Sequence, residues 1–173
     1  MKKYEGRRQM KLKKIMANVL EVGIFGTILG CTVHFNKKAL REEKEMKERY
    51  KSYYELIHSW FENKNNGKTI EKYFVENNIS NIAIYGKGTL GEMFYEEIKN
   101  TDINIKYFID RSVEEVYEWE EDIPVIGIKH IEKQDVVDAI IITPIFDYDE
   151  IQEDLENNGV DFTMVSLEDV IYI

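Results

Sequence analysis

Residues 81–91 read NIAIYGKGTLG, and this stretch decides the fold. Asn81–Tyr85 is a short apolar run, as expected of a parallel strand that is buried on both faces. The glycines that follow have the spacing G-x-G-x-x-G and open a helix that we expect to run to about Asn100. A strand, a glycine turn and a helix in this order are typical of nucleotide-binding α/β domains.

Each glycine of this turn has a predicted role. Gly86 permits the tight turn, Gly88 lets the backbone approach a pyrophosphate, and Gly91 lets the helix pack closely on the strand. The free N–H groups and the dipole of the helix favour an anion at its N-terminus. Lys87 either contacts a phosphate or faces solvent; the P-loop pattern G-x-x-x-x-G-K-[ST] is absent. The predicted phosphate-binding residues are Gly86, Lys87, Gly88, Thr89, Leu90 and Gly91.

Further candidate ligand contacts follow two other predicted strands. The strand Ile105–Ile109 ends at Asp110, about 20 residues after the turn, where an acid accepts hydrogen bonds from ribose hydroxyls and prefers NAD over NADP. Arg111 could instead hold a 2′-phosphate, and Asp110 could be a helix cap or a solvated turn residue. Thr143 and Pro144 follow the most hydrophobic run of the domain, beside the crevice where such sheets bind ligands.

The remaining pattern predicts the fold class. Three more short apolar runs read as strands, and residues 147–157 read as a helix that Gly159 ends. Alternating strands and helices with tight loops predict an α/β, Rossmann-like domain with a parallel five-stranded sheet over residues 68–173. The acidic stretch 114–122 is expected to be a solvated loop. The additional strands are predicted at 123–126, 139–143 and 162–166.

Four motifs in combination carry a family resemblance: GKGTLG (86–91), YFID (107–110), IPVIG (123–127) and VDAIIIT (137–143). Together they resemble the Rossmann-like domain of bacterial surface-polysaccharide proteins. That domain occurs in sugar O-acyltransferases, membrane-anchored nucleotide-sugar dehydratases and epimerases, and glycosyltransferase accessory domains. The resemblance implies that the glycine turn and Asp110 contact NAD(P) or a UDP-sugar. The chain has neither the left-handed β-helix repeats of the acyltransferases nor the second catalytic domain of the dehydratases.

An apolar segment, IMANVLEVGIFGTILGCTVHF (15–35), precedes the domain. Its length suits a transmembrane helix, although Glu21 costs about 2 to 3 kcal/mol if it lies near the centre of the bilayer. One alternative is a lipoprotein signal that ends at Cys31, and another is an interfacial or buried helix. We therefore predict a transmembrane or membrane-associated helix.

Charge is distributed unevenly along the chain. Residues 1–51 contain 14 Lys/Arg and 6 Asp/Glu, whereas the remainder contains 9 and 27. Residues 1–14 form a basic arm, cytoplasmic or at the membrane surface, and the acidic domain argues against nucleic-acid binding. Seven basic residues precede the segment 15–35 and seven follow it, so the positive-inside rule does not decide the orientation. Because metabolic nucleotides are cytoplasmic, we expect a single-pass cell-membrane protein with a cytoplasmic domain.

A long helix is predicted over 37–64, which contains no Gly or Pro. Its apolar residues Met46, Tyr50, Tyr53, Ile57 and Trp60 follow a 4-3-4-3 spacing and share one face. This face either packs on the globular domain or pairs in a short coiled coil that would make a homodimer.

The sequence offers no catalytic or metal-binding constellation. Tyr95 and Lys99 have the Tyr-x-x-x-Lys spacing of short-chain dehydrogenases but lie directly after the glycine turn. His58 and His130 have no recognisable partner, and the single Cys31 excludes a zinc motif. We expect a membrane-tethered nucleotide- or nucleotide-sugar-binding module, with a glycosyltransferase or another polysaccharide-synthesis protein as partner. The alternatives are a subunit of an NAD(P)-dependent nucleotide-sugar oxidoreductase or epimerase, and a non-binding interaction scaffold.

Overall fold

The computed structural model describes the backbone of residues 2–119 and 123–172 and the side chains of residues 34–119 and 123–172. Internal contacts divide the chain into residues 1–48 and 49–173. A single helix, α1 (Lys2–Asn65), contains both predicted N-terminal helices, 15–35 and 37–64. Side chains 34–48 are all exposed, and ion pairs one turn apart, such as Lys38–Glu42 at 3.7 Å, support this helical stretch.

The predicted membrane segment, 15–35, consists largely of residues whose side chains lie outside the described part of the structure. Within the described part of the chain, no helix combines the length and the apolar character that a membrane crossing requires. Side chains 15–33 of the predicted segment, with Glu21 and Cys31, and the whole basic arm 1–14 lie outside the described side chains.

Residues 49–173 form an α/β domain around a six-stranded sheet of order β3-β4-β2-β1-β5-β6. All neighbouring strands are parallel except β3, which is antiparallel to β4. Without β3, the strands lie in the chain order third, second, first, fourth, fifth, which is the doubly wound order. The strands are β1 (Asn81–Tyr85), β2 (Asn104–Ile109), β3 (Tyr117–Glu118), β4 (Pro124–Ile126), β5 (Ala139–Ile142) and β6 (Thr163–Ser166).

The helices cover both faces of this sheet. One core cluster joins the sheet to α1 and to α2 (Glu71–Glu76), α3 (Thr89–Ile98) and α5 (Leu167–Ile171). The other joins it to α4 (Tyr148–Asn157) and to a 3₁₀ helix at Ile128–Lys133. Residues 82–85 of β1 alternate between the two clusters, which explains why these four successive residues are apolar.

The predicted five-stranded parallel sheet is wrong in two respects: there are six strands, and the sheet is mixed. The additional strand β3 lies within 114–122, the stretch predicted to be a solvated loop. Tyr117 pairs with Val125 and Glu118 with Pro124 at the edge of the sheet. Both residues of β3 are exposed, so the strand has no buried face and leaves no periodic apolar signal in the sequence.

The C-terminal part of α1 packs on the domain, which confirms the first of the two alternatives for this helix. The face that packs overlaps the predicted one only at Tyr53 and Trp60. Leu56 and Trp60 are buried in the core, whereas Met46, Tyr50 and Ile57 are exposed. The packed residues repeat at the same 4-3-4-3 spacing as the predicted set, so spacing alone does not choose between the two faces. They are Arg49, Tyr53, Leu56, Trp60 and Asn63.

Candidate functional site: a crevice at the glycine turn

The turn after β1 requires glycine at its first position for two reasons. Gly86 has a φ of +95°, in the left-handed region that side chains disfavour. A Cβ there would lie 2.9 Å from both Thr143 Oγ1 and Pro144 Cδ. The Gly86 N–H donates to Ile109 O at 2.7 Å, which ties the turn to the end of β2. Gly86 therefore makes the tight turn that the sequence predicts.

Gly91 brings α3 against the end of β1. A Cβ on Gly91 would lie 2.0 Å from the carbonyl oxygen of Gly86, a distance that no side chain tolerates. The first turn of α3 is therefore in backbone contact with the glycine turn. This contact bears out the packing role predicted for Gly91.

Gly88 differs from the other two glycines because the space beside it is open. It is the N-cap of α3, with an extended backbone (φ −104°, ψ −171°), and a Cβ there would meet nothing within 4 Å. The Glu92 N–H donates back to Gly88 O at 2.9 Å. The N–H groups of Thr89, Leu90 and Gly91 precede this first helical bond and point out of the helix start. An anion has both room and donors at this point.

The side chain of Lys87 points away from the open space. Its Nζ lies 2.9 Å from Glu92 Oε1 and 4.2 Å from the centre of the Trp119 ring. The side chain is only 16% exposed. Lys87 is thus held by a carboxylate and an aromatic ring rather than facing solvent, and its contact with a phosphate stays a prediction.

Asp110 is held by hydrogen bonds from the protein itself. Its Oδ2 accepts the Lys87 N–H at 3.1 Å, and its Oδ1 accepts the N–H and the hydroxyl of Ser112 at 2.9 and 2.6 Å. Burial by itself would raise the pKa of Asp110, but the hydrogen bonds from Ser112 and Lys87 outweigh it and lower the pKa. These contacts are those of a turn-capping residue, and they leave part of Oδ2 as acceptor for a ligand hydroxyl.

Arg111 lies beside the glycine turn but is engaged by α4. Its guanidinium is 3.0 Å from Glu150 Oε1 and 3.8 Å from Asp154 Oδ2. Interactions with Tyr85 and then with Glu150 raise the pKa of Arg111. The side chain is about half exposed, so these pairs are weak.

Thr143 and Pro144 connect the end of β5 to the end of β1. The buried Thr143 hydroxyl donates to Tyr85 O at 2.9 Å and shares its proton with Gly86 O at 3.2 Å. The Thr143 N–H also donates to Tyr85 O, at 3.1 Å. Thr143 is therefore a structural residue that fixes the floor of the crevice, and Pro144 forms its rim against Gly86.

Two cavities meet at this rim and share Gly86 and Pro144. We call the first, of about 350 Å³, the apolar cavity. We call the second, of about 320 Å³, the acidic cavity. The apolar cavity is lined further by Tyr53, Ile57, Gly88, Thr89, Leu90 and Thr143. The acidic cavity is lined further by Tyr85, Asp110, Arg111, Asp147, Glu150 and Ile151.

Eight of the ten predicted site residues line one of the two cavities. The other two, Lys87 and Gly91, do not line a cavity: Lys87 pairs with Glu92, and Gly91 packs against the backbone of Gly86. The sequence did not identify the contribution of α1. Tyr53 and Ile57 belong to the predicted apolar face of this helix, but nothing in the spacing indicates that they reach the glycine turn.

An ion pair joins α1 to the rim of the crevice. The Arg49 guanidinium makes two hydrogen bonds to the Asp147 carboxylate, at 2.6 and 2.7 Å, and lies 4.5 Å above the Phe146 ring. The hydrogen bond to Asp147 is the main cause that raises the pKa of Arg49. Asp147 follows Pro144 by three residues, so this pair holds α1 beside the turn that closes the crevice.

The residues considered for catalysis lie elsewhere. Tyr95 packs between Phe108 and Trp119, at ring distances of 6.0 and 4.9 Å, and does not line either cavity. His130 Nε2 lies 3.2 Å from Glu114 O, and His58 lies 3.7 Å from Glu62 on the surface of α1. Among the described residues, no three His, Cys, Asp or Glu side chains are grouped closely enough to hold a metal ion.

No protein-family model matches the chain, and no curated protein is significantly similar to it. The doubly wound order of the parallel strands and the crevice at the glycine turn are therefore what define its class.

Proposed function

We propose that the protein is a membrane-tethered module that binds a nucleotide or nucleotide sugar in the crevice at the glycine turn, without catalysing a reaction itself. The observation that carries this proposal is the open space beside Gly88. It lies at the N-terminus of α3, where Gly88 lines the apolar cavity; this cavity is suited to a ring and meets the acidic cavity, suited to hydroxyl groups, at Gly86 and Pro144. A diphosphate bound there would accept hydrogen bonds from the first N–H groups of α3.

The two cavities favour different parts of such a ligand. Tyr53, Ile57 and Leu90 give the apolar cavity the surface that a flat aromatic ring requires. Asp110 and Glu150 give the acidic cavity acceptors for ribose or sugar hydroxyls. The same carboxylates oppose the additional 2′-phosphate of NADP, so we favour NAD or a UDP-sugar over NADP.

The proposed membrane tether and the proposed role in glycan synthesis rest on the sequence. The apolar segment 15–35 supports a single membrane helix, and the resemblance of residues 86–143 to surface-polysaccharide proteins supports an accessory role in glycan synthesis. A glycosyltransferase or another protein of that synthesis is the proposed partner, and the cytoplasm is the proposed side for the domain. The absence of a nucleophile–base pair in the crevice supports binding over catalysis.

An interaction scaffold with an unused crevice is the second candidate. It is favoured by the engagement of Lys87, Asp110 and Arg111 with other protein groups. A phosphate would then depend on backbone N–H groups alone. Such backbone sites do bind phosphates, which is why we rank this candidate second.

Thermal unfolding of the full chain with NAD(H), NADP(H) and UDP-sugars tests the proposal. A ligand at 100 times its Kd stabilises the folded state by about 2.7 kcal/mol. We expect a shift with NAD or a UDP-sugar and a smaller one with NADP. No shift with any of them would favour the scaffold, and turnover of a sugar nucleotide by the purified chain would favour an enzyme.

Substitution of Gly88 tests the position of the phosphate. Because a side chain at 88 meets no protein atom within 4 Å, Gly88→Ala and Gly88→Val should both fold. Gly88→Val should abolish the ligand-induced shift, and Gly88→Ala should reduce it. Far-ultraviolet circular dichroism and unfolding without ligand are the controls for folding. A Gly88→Val variant that retains full affinity would show that the ligand binds elsewhere.

A further inference from the structure

A second apolar face of α1 remains exposed. Tyr50, Tyr54, Ile57 and Phe61 follow one another at a spacing of 4-3-4, next to the face that packs on the domain. Tyr50, Tyr54 and Phe61 are 68%, 69% and 64% exposed. We call these four residues the aromatic stripe. Scattered apolar residues are normal on a surface, but a contiguous stripe of large ones indicates an interaction site.

The aromatic stripe continues onto α3. Ile57 and Phe61 line a groove of about 540 Å³ whose opposite wall carries Met93 and Trp119. Met93 is itself among the exposed hydrophobic residues. The apolar surface therefore consists of the stripe and an adjoining groove wide enough to accept side chains from another helix.

The area of this surface suits a dimer interface. An aromatic side chain carries about 150 to 250 Å² of surface, so the three aromatic residues of the stripe expose roughly 400 Å². A standard interface buries about 800 Å² on each partner, of which about 57%, or roughly 450 Å², is apolar. With Ile57 and Met93 added, the exposed apolar area reaches this amount.

Ion pairs within the chain border the stripe on both sides. On the side of α1 away from the domain, Lys51 pairs with Glu55 at 3.4 Å and His58 lies 3.7 Å from Glu62. On the other side, three carboxylates of α3 line the groove, and each pairs with a lysine of its own chain: Glu92, Glu96 and Glu97. The apolar stripe is therefore flanked by paired charges, which leave no large surface of a single sign to oppose a second copy.

We propose that the aromatic stripe binds the same stripe of a second copy of this chain, with the two α1 helices parallel. In a parallel pair the N-terminal ends of both α1 helices lie at the same end of the pair. In an antiparallel pair they lie at opposite ends, which two copies held in one membrane through the segment 15–35 cannot adopt. The parallel orientation therefore rests on the proposed membrane tether, whereas the pairing of the two stripes rests on their exposed apolar area.

Cysteine cross-linking in the full chain distinguishes these arrangements. The native Cys31 is replaced by Ser, and Tyr50→Cys, Tyr54→Cys and Phe61→Cys are made singly. In a parallel pair each position meets itself, so all three variants should form disulfide-linked dimers under mild oxidation. Glu55→Cys, on the outward side of the same helix, is the matched control and should not form them.

Other cross-linking patterns would overturn the proposal. Links at Tyr54→Cys alone, with mixed links between Tyr50→Cys and Phe61→Cys chains, would show an antiparallel pair. Absence of links at all three positions would show that the stripe does not pair with itself. Because Tyr50, Tyr54 and Phe61, unlike Ile57, do not line the crevice, either outcome leaves nucleotide binding untouched.

The mass of the full chain in detergent provides an independent measurement. The double variant Tyr54→Glu, Phe61→Glu should raise the dimer dissociation constant at least tenfold, since it places like charges in the apolar interface. Val136→Glu is the control, because Val136 is 78% exposed and lies on another part of the domain. A wild-type chain that is monomeric at all concentrations would overturn the proposal, as would a double variant that dimerises like the wild type.

Discussion

The two walls of the crevice are built in different ways. One wall is the glycine turn, residues 86–91, in which residues 86–88 connect β1 to α3 and residues 89–91 form the first turn of α3. The other is α1, from which Tyr53 and Ile57 reach the same cavity although they precede the turn by about thirty residues. Local backbone contacts fix the first wall, and a few side chains hold the second.

This difference decides how each wall responds to change. The glycine turn is fixed by contacts that leave no room for a Cβ at Gly86 or Gly91. The α1 wall depends on the burial of Leu56 and Trp60 and on the pair between Arg49 and Asp147. We therefore expect substitutions in α1 to loosen one wall while the turn persists, and the following predictions test that separation.

Trp60→Ala should have the largest effect on stability. Trp60 is 6% exposed and packs on Phe94 with a ring distance of 6.4 Å. Removing such a side chain from a core costs about 3 to 5 kcal/mol in the free energy of unfolding. Urea denaturation measures this cost. The neighbouring Phe61→Ala, on the exposed side of α1, should change the value by less than about 0.5 kcal/mol at low protein concentration. Equal costs at the two positions would mean that α1 does not pack by this face.

Gly91→Ala should destabilise the turn itself, by about 2 to 3 kcal/mol. Alanine is the better helix former by about 1 kcal/mol, so propensity alone predicts a gain in stability. The new Cβ would lie 2.0 Å from Gly86 O, however, and would force α3 away from β1. Gly88→Ala is the matched substitution in the same turn and should cost about 0.5 kcal/mol as a poorer N-cap. A stabilised Gly91→Ala protein would contradict the close contact.

These two positions also show what the sequence could reveal. The glycine turn was predictable because its residues are adjacent and their spacing reflects one backbone conformation. The strands near 81–85 and 139–142 were predictable because both faces are buried, so each is a nearly continuous apolar run. The structural roles of Gly86 and Gly91 followed from the same local pattern.

The remaining features depend on contacts that are distant in sequence. The engagement of Asp110 by Ser112 and of Lys87 by Trp119 reflects side-chain geometry that a motif does not encode. The face of α1 that packs is rotated about the helix axis from the predicted face, and the sequence could not separate the two because their residues follow the same spacing. Which of them the domain covers is decided by the shape of the domain.

Asp110→Asn should have an intermediate effect that depends on pH. An amide accepts through only one atom, so the bonds from Lys87 and Ser112 are no longer all satisfied, at a cost of about 1 to 2 kcal/mol at neutral pH. Since folding lowers the pKa of Asp110, its ionised form contributes stability above the unfolded pKa of about 3.9. That contribution is lost as the pH falls through the folded pKa.

Unfolding measured from pH 7 to pH 3 checks this prediction. The difference in stability between wild type and Asp110→Asn should be largest near neutral pH and should shrink below about pH 4. Ser112→Ala removes the hydroxyl donor but keeps the carboxylate, so it should show a smaller loss with the same sign. A difference that stays constant down to pH 3 would mean that the carboxylate charge does not contribute.

Arg49→Ala should have the smallest effect, about 1 kcal/mol. The pair with Asp147 is bidentate, which favours it, but both side chains are about one third exposed, which weakens it. Arg49→Lys should retain only part of the contribution, because an ammonium ion cannot make the paired hydrogen bonds or stack equally on Phe146. Lys51→Ala, which breaks only the exposed pair with Glu55, is the control and should cost about 0.3 to 0.5 kcal/mol or less.

A double-mutant cycle with Asp147→Ala isolates the contribution of the pair. We expect a coupling energy of about 0.5 to 1 kcal/mol, which falls as salt is added because the pair is partly exposed. If the α1 wall also contributes to the ligand site, Arg49→Ala should weaken ligand binding more than its small loss of stability implies, whereas Lys51→Ala should not. Zero coupling would mean that Leu56 and Trp60 alone hold α1 against the domain, and the two walls would then be joined only through the core.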